Sequence, residues 1–188
     1  MSSSKLYLCS GSETRAKLLR HFGVSFEQKS VEFDEESIKV STAREFVYQA
    51  SLGKMQKAIE LYGLDTPLLC ADTVIASSSQ EILRKAYTKK EAREILLKQS
   101  NSYISIITSL HYKRADMSLS DISATHYKFD RFDTKDLEDY LESEEWRGKA
   151  GGCMVEGFCK KYIKQVDGLE STAMGLQVEV LLPWLDGV

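Results

Sequence analysis

Proline is nearly missing from this chain, with only Pro67 and Pro183 among 188 residues. No low-complexity tract and no repeat of fixed period accompanies them, so the sequence offers neither a flexible linker between independent domains nor a solenoid. One domain over residues 1–188 is the expectation. Excess positive charge is also lacking: 25 Lys and Arg stand against 28 Asp and Glu, a formal net charge of -3. A protein that lives on a nucleic-acid backbone carries dense basic surface, so nucleic acid is not an expected partner, whereas a small anion held by a few focused cations is compatible with this balance. Long apolar runs are absent too. The stretch Leu6 to Cys9, which follows Met1-Ser2-Ser3-Ser4-Lys5, is too short for a signal peptide, and nothing later approaches the length of a membrane span. A cytoplasmic protein without membrane contact is expected.

The usual signatures of covalent and zinc chemistry are missing as well. The four cysteines, Cys9, Cys70, Cys153 and Cys159, do not form the close pairs of a zinc site and read as reduced, mostly buried thiols. His21, His111 and His126 show no ligand spacing, and no serine or cysteine sits in a nucleophile elbow or Cys-His pattern. The first loop lacks the second glycine followed by Lys and Ser/Thr that a Walker A sequence needs.

What is present is a core and a pattern. Hydrophobic residues make up 43% of the chain, enough for a sizeable interior. Leu6 to Cys9 reads as a strand, and Ala16, Leu18, Leu19 and Phe22 repeat with helical spacing until Gly23. Val24 to Phe33 alternates as a strand would and ends in the acidic cluster Asp34-Glu35-Glu36. Thr42 to Glu45 forms a capping box that opens a long helix ending at Gly63, and Thr88 to Glu91 opens another. Between them, Leu68 to Ala76 reads as a strand buried on both faces with one carboxylate, Asp72, set inside it. Tyr103 to Tyr112 and Ser118 to Phe129 read as an antiparallel pair, Asp133-Thr134 caps a short helix, and an apolar helix or strand closes the chain near Leu181 to Leu185. The alternation of strands and helices predicts an α/β fold with a mixed sheet.

Three places can carry chemistry. In Ser10-Gly11-Ser12-Glu13-Thr14-Arg15, small residues let backbone N–H groups converge, Ser10 and Ser12 add hydroxyls, and the following helix adds its positive end. Arg15, about one turn in, can grip phosphate oxygens with a planar fork. The same residues also suit an ordinary Ser N-cap with a solvated Arg. Asp72 is expensive inside an apolar run unless a metal, a cation or a proton-transfer role compensates it; the alternative is a strand that ends at Ala71. Lys54 shares a helix side with Val47, Ala50, Ala58 and Leu61, which directs it into a cleft or lets its stem pack while its head reaches water. Lys85 and Glu35 are weaker candidates.

Taken in order, Leu8 to Arg15, Phe33-Asp34-Glu35, Lys54, Ala71-Asp72-Thr73-Val74, Lys85, Lys149-Ala150-Gly151, Glu156-Gly157-Phe158 and Met174-Gly175-Leu176 closely resemble the Maf (septum formation) family over nearly the whole chain. The resemblance implies a nucleoside triphosphate pyrophosphatase that cleaves between the α- and β-phosphates with a divalent cation, Mg²⁺ or Mn²⁺. It also implies a fold like the inosine-triphosphate pyrophosphatases, a long mixed sheet flanked by helices with a cleft between two lobes. By that match Asp72 is the proton acceptor, Ser10, Arg15, Lys54 and Lys85 hold phosphates, and Glu35 helps Asp72 organise the metal; Ser12, from the loop itself, is a further substrate-binding candidate. A nucleotide-binding regulator of septum formation that turns nothing over is the alternative, separated from the enzyme by whether product forms.

The base is signalled by three positions. Family members that take dTTP and UTP usually carry Arg at the place of Thr14, Thr at Thr73 and Gln at the place of Glu156. Those that take 7-methyl-GTP resemble this chain at Glu156-Gly157-Phe158 and differ at Thr73. A carboxylate at Glu156 can accept from the N1–H and amino group of guanine, which leans the reading towards guanine or a modified purine. The family's Lys-Pro pair is Lys85-Ala86 here, which loosens the turn after the lysine. Relatives often pair, and Tyr103 to Tyr112 offers an apolar strand for a homodimer interface.

Overall fold

The computed structural model of the chain describes residues 6–185. Residues 1–5, which entered the reading of the amino terminus, and 186–188 lie outside the described residues.

The chain alternates strand and helix from its first element. β1 (Leu6–Cys9) leads into α1 (Glu13–His21), and β2 (Phe26–Lys29) into a 3-10 turn at Glu35–Ser37 and the long α2 (Ala43–Tyr62). β3 (Leu68–Ser77) and the two-residue β4 (Ile82–Leu83) precede α3 (Lys89–Gln99). The hairpin of β5 (Tyr103–Arg114) and β6 (Met117–Phe129) is followed by α4 (Thr134–Ser143), β7 (Ile163–Asp167) and the one-turn helices α5 (Glu170–Ala173) and α6 (Val178–Leu181). Both capping boxes form: Thr42 and Thr88 accept from the backbone of Glu45 and Glu91, whose carboxylates reach back to the caps.

The seven strands form one mixed sheet in the order β2-β1-β3-β5-β6-β7, with β4 added on β3. β1 runs parallel to β2 and β3; all other pairs are antiparallel. β3 is the strand on which the site depends. Along one edge it pairs with β5 over its whole length. Along the other, β1 reaches only Leu68 and Leu69, and β4 only Ile75 and Ala76. Cys70 to Val74 therefore have an open edge among the described residues, and Asp72 and Thr73 lie in it.

The alternation of a strand sends neighbouring side chains to opposite faces. On one face Val74 and Ala76 pack with Phe46, Val47 and Ala50 of α2, and Cys70 packs with Met55 and Ala58. On the other, Leu69 and Ala71 pack with Ala16 and Leu19 of α1 and with Leu176 and Val178. A third cluster, which includes Leu96 of α3 and Leu137 and Leu141 of α4, closes over Ile75 and the fully buried Trp146, whose indole N–H donates to Leu141 O at 3.0 Å.

Three expectations change. The strand read from Val24 to Phe33 is only Phe26–Lys29, because β1 offers four residues to pair with and the chain then leaves the sheet. Leu61 does not share the buried side of α2 with Val47, Ala50 and Ala58; it is exposed near the helix end. The apolar strand Tyr103 to Tyr112 is no dimer face. It lies inside the sheet between β3 and β6, and only Tyr103 at its start is exposed, so its apolar residues serve the core.

Leaving the sheet after β2 lets Phe33 lie against α2 at Gly53, where a Cβ would stand 2.3 Å from the ring. That contact sets the Glu35 turn beside the next helical residue, Lys54. In Gly53→Ala the gain in helix propensity, about 1 kcal/mol, competes with overpacking of about 1–3 kcal/mol. Overpacking is expected to win, giving a net loss of about 1 kcal/mol in urea denaturation; a stabilised variant would show that the ring turns aside freely.

Candidate active site

The open edge of β3 forms the floor of a cleft of about 450 Å³. Its walls are the loop from Cys9 to Arg15, Lys54 and Lys85, the segments Gly148 to Ala150 and Cys153, Val155 and Glu156, and the turn Ala173 to Gly175. Ser10, Ser12, Thr14, Arg15, Lys54, Asp72, Thr73, Lys85 and Glu156, read as candidates from the sequence, thus line one space. Glu35 joins through Lys54.

On the α2 face of β3, Asp72 is 6% exposed, and its Oδ1 accepts from Lys54 Nζ at 2.5 Å. The same ammonium donates to Glu35 Oε1 at 2.6 Å. β3 thus continues through Asp72 and does not end at Ala71. Burial pushes the Asp72 carboxyl above the usual carboxylate range; Lys54 and Arg15 oppose that shift and Glu35 adds to it. Glu35 goes the other way. Its burial would raise it, but the hydrogen bond and charge of Lys54, with Lys85 and Arg15 further off, hold it below the usual range.

On the α1 face, Ser12 is the N-cap, accepting weakly from Arg15 N at 3.4 Å. The N-cap reading was correct and its solvated arginine was not. Arg15 is tied down: Nε donates to Gly175 O at 2.7 Å, Nη1 to Ser10 Oγ at 2.9 Å and Nη2 to Thr73 Oγ1 at 3.0 Å. All three acceptors are neutral, so the guanidinium keeps its whole charge for an anion, and two of the five N–H donors of an arginine, one on each terminal nitrogen, remain. Burial lowers its pKa against the fields of Asp72 and Glu35, from a starting value so high that it stays protonated. Ser10 Oγ also accepts from Ser12 N at 3.2 Å, leaving the Ser10 hydroxyl proton as a donor. Gly175, in the left-handed region at φ 103°, is needed here because a Cβ would stand 3.2 Å from Thr73 Oγ1 and 3.4 Å from Arg15 Nε.

A family model described as Maf-like protein matches residues 5–188. The chain belongs to the Maf family. A nucleoside triphosphate pyrophosphatase of Nitratiruptor sp. is 57% identical over 93% of this chain and 95% of its own length. One from Helicobacter pylori strain J99 is 40% identical over 95% of this chain and 93% of its own. Among solved structures, a nucleoside-triphosphatase described as a dITP/XTP pyrophosphatase from Mycobacterium abscessus is a partial likeness: TM-score 0.46, 13% identity, 66% of this chain and 74% of that one.

Sequence reasoning missed Thr108 in this Maf chain. Its hydroxyl lies 2.9 Å from that of Thr73. The available signal was the polar pair Thr108-Ser109 set between the apolar residues Ile106-Ile107 and Leu110 of β5. The cysteines are free and buried as expected, with Cys153 and Cys159 sulfurs 3.0 Å apart. No helix among the described residues is long and apolar enough to cross a membrane.

The raised Asp72 has a consequence for stability. A group held above its unfolded value stabilises the fold below the ordinary Asp pKa of roughly 3.9 and loses that contribution as pH rises through the folded value. Asp72→Asn has no charge to bury and is expected to melt a few degrees above the wild type at pH 7.5, with the gap closing as the pH falls towards 4. Calorimetry across that range decides it; a lower melting temperature at pH 7.5 would mean that the bond to Lys54 outweighs burial.

Proposed function

We propose that the chain, acting as one domain, hydrolyses a nucleoside triphosphate between the α- and β-phosphates to a nucleoside monophosphate and pyrophosphate. The observation that carries this reading is the convergence of a buried carboxylate, Asp72, with three cations from separate elements, Arg15, Lys54 and Lys85, on one cleft. The printed activity of the Nitratiruptor and Helicobacter relatives supports it.

The chemistry follows from the residues. Water attacks the α-phosphorus, its proton passes to Asp72, and the bond to the bridging oxygen breaks so that pyrophosphate leaves. A carboxylate with a raised pKa is the better base near neutrality. Lys54 holds Oδ1 of Asp72, while Oδ2 has no protein partner among the described residues and is not sealed from solvent. Ser10, Ser12 and the α1 N-terminus supply neutral donors to the phosphates, and Arg15, Lys54 and Lys85 supply charge.

Asp72 and Glu35 also fit a divalent cation, Mg²⁺ or Mn²⁺. Both present hard carboxylate oxygens, and no group of three or more His, Cys, Asp or Glu side chains converges among the described residues. This suits a metal that takes one or two carboxylates and completes its shell with substrate oxygens and water. When bound, it neutralises charge on the phosphates. Glu156, on the wall beside Val155, favours a base with an N–H edge, guanine or a modified purine.

A screen of ordinary and modified nucleoside triphosphates with Mg²⁺ and Mn²⁺, reading pyrophosphate, tests activity and base together. Asp72→Asn is expected to lose about a thousandfold in kcat, and full-rate turnover by that variant would overturn its assignment as the base. Glu156→Gln is expected to shift preference from purine towards pyrimidine substrates by about tenfold in kcat/KM. An unchanged ratio would remove Glu156 from base selection.

A further inference from the structure

We propose that Thr108 is a positioning residue for Arg15, acting through a hydrogen-bond chain of fixed direction; the proposal rests on the reading of Arg15 as a phosphate-gripping group. Thr108 is fully buried on β5, away from the cleft lining, and its hydroxyl donates to Thr172 O at 2.8 Å. A threonine has one hydroxyl proton. With that proton committed, Thr108 Oγ1 can only accept from Thr73 at 2.9 Å. Thr73 in turn has spent its proton, so the side of its oxygen that faces Arg15 Nη2 at 3.0 Å carries lone pairs. The chain reads Arg15 to Thr73 to Thr108 to the Thr172 carbonyl, with every donor facing an acceptor.

The anchoring works from a second side. The turn from Thr172 to Gln177 is fastened to β5 at both ends by Thr108: its hydroxyl holds Thr172 O, and its carbonyl accepts from the buried Gln177 Nε2 at 3.2 Å. Between those ends lies Gly175, whose carbonyl holds Arg15 Nε at 2.7 Å. Two of the three bonds that fix the guanidinium, those to Thr73 and Gly175, thus run back to one residue, Thr108, the first through its hydroxyl and the second through its hydroxyl and its carbonyl. Without that hydroxyl, Thr73 is free to turn its proton towards Arg15, and Thr172 O is left with backbone donors, Gly175 N at 3.0 Å among them, so the turn loses its side-chain tie to β5 at that end.

Thr108→Val keeps the branched shape and removes the hydroxyl, whereas Thr108→Ser keeps the hydroxyl and removes a methyl group. The probe is inorganic tripolyphosphate, whose binding by calorimetry needs no turnover and no base. Thr108→Val is expected to weaken its affinity about fivefold and raise nucleotide KM by the same factor, with kcat within about twofold. Thr108→Ser is expected to bind like the wild type even where its melting temperature falls. In an Arg15→Lys background, Thr108→Val is expected to add little.

Wild-type affinity in Thr108→Val overturns the proposal, as does equal weakening in Thr108→Ser, an undiminished effect in the Arg15→Lys background, or a wild type that does not bind tripolyphosphate. Failure of the enzymatic reading looks different: tripolyphosphate binds with this pattern of variants, but no nucleoside triphosphate releases pyrophosphate.

Discussion

Lys54 is the cation that bridges Asp72 and Glu35, and an ionised Asp72 in the middle of β3 depends on it. Taking a carboxylate out of water costs several kcal/mol even after the surroundings relax, and a partner at hydrogen-bond distance offsets part of that cost. Part is not all. Burial remains the largest influence on Asp72, and its carboxyl stays above the usual range. The residual cost of keeping the charge is the same quantity that makes the group ready to take a proton. Lys54 reaches both carboxylates because Gly53 lets Phe33 lie flat on α2 and carry the Glu35 turn with it.

The period of a strand explains why two cations from two helices meet at one cleft. Asp72 and Thr73 are neighbours and so point to opposite faces, one towards α2 and Lys54, the other towards α1 and Arg15. Inside a fully paired sheet those faces never communicate. Along this edge of β3, pairing with β1 ends at Leu69 and pairing with β4 begins at Ile75, and through the gap both faces open on the same space. The short reach of β1 and β4 along β3 thus shapes the cleft: a longer ladder on that edge would divide Asp72 from Arg15.

Local signals made much of this legible in the sequence. Two capping boxes fixed the starts of α2 and α3, and the apolar run with one carboxylate marked both β3 and its central residue. The order of short motifs gathered Ser10, Arg15, Lys54, Asp72 and Lys85 before any geometry was known. The open edge of β3 was not legible, because it arises from how far β1 and β4 reach, and pairing length is a tertiary property. Neither was the restraint of Arg15. Its acceptors Thr73 and Gly175 lie 58 and 160 residues away in sequence, and the loop itself reads as a simple cap. Thr108 was hidden by its neighbours, since a threonine in an apolar strand is as compatible with core packing as with a hydrogen-bond chain.

The charge on the cleft wall bears on what the substrate must bring with it. Arg15, Lys54, Lys85 and Lys149 line the space, but so do Glu13, Asp72 and Glu156, and Glu35 stands behind Lys54. Four basic side chains are matched by four carboxylates, so the wall is close to neutral, while a nucleoside triphosphate carries about four negative charges that phosphoryl chemistry requires to be stabilised. Lys54 is the least able to help, because its ammonium is held by two carboxylates at 2.5 and 2.6 Å. A divalent cation on the carboxylate side would change that balance. Asp72 and Glu35 would hold it and the Lys54 ammonium would no longer answer for both carboxylates, while Arg15, bound only to neutral acceptors, keeps its charge for an anion. On the proposed function, Arg15 and the carboxylate pair are complementary: the arginine is bound only to neutral acceptors inside the protein, and the carboxylates stand where a counter-ion would arrive with the nucleotide.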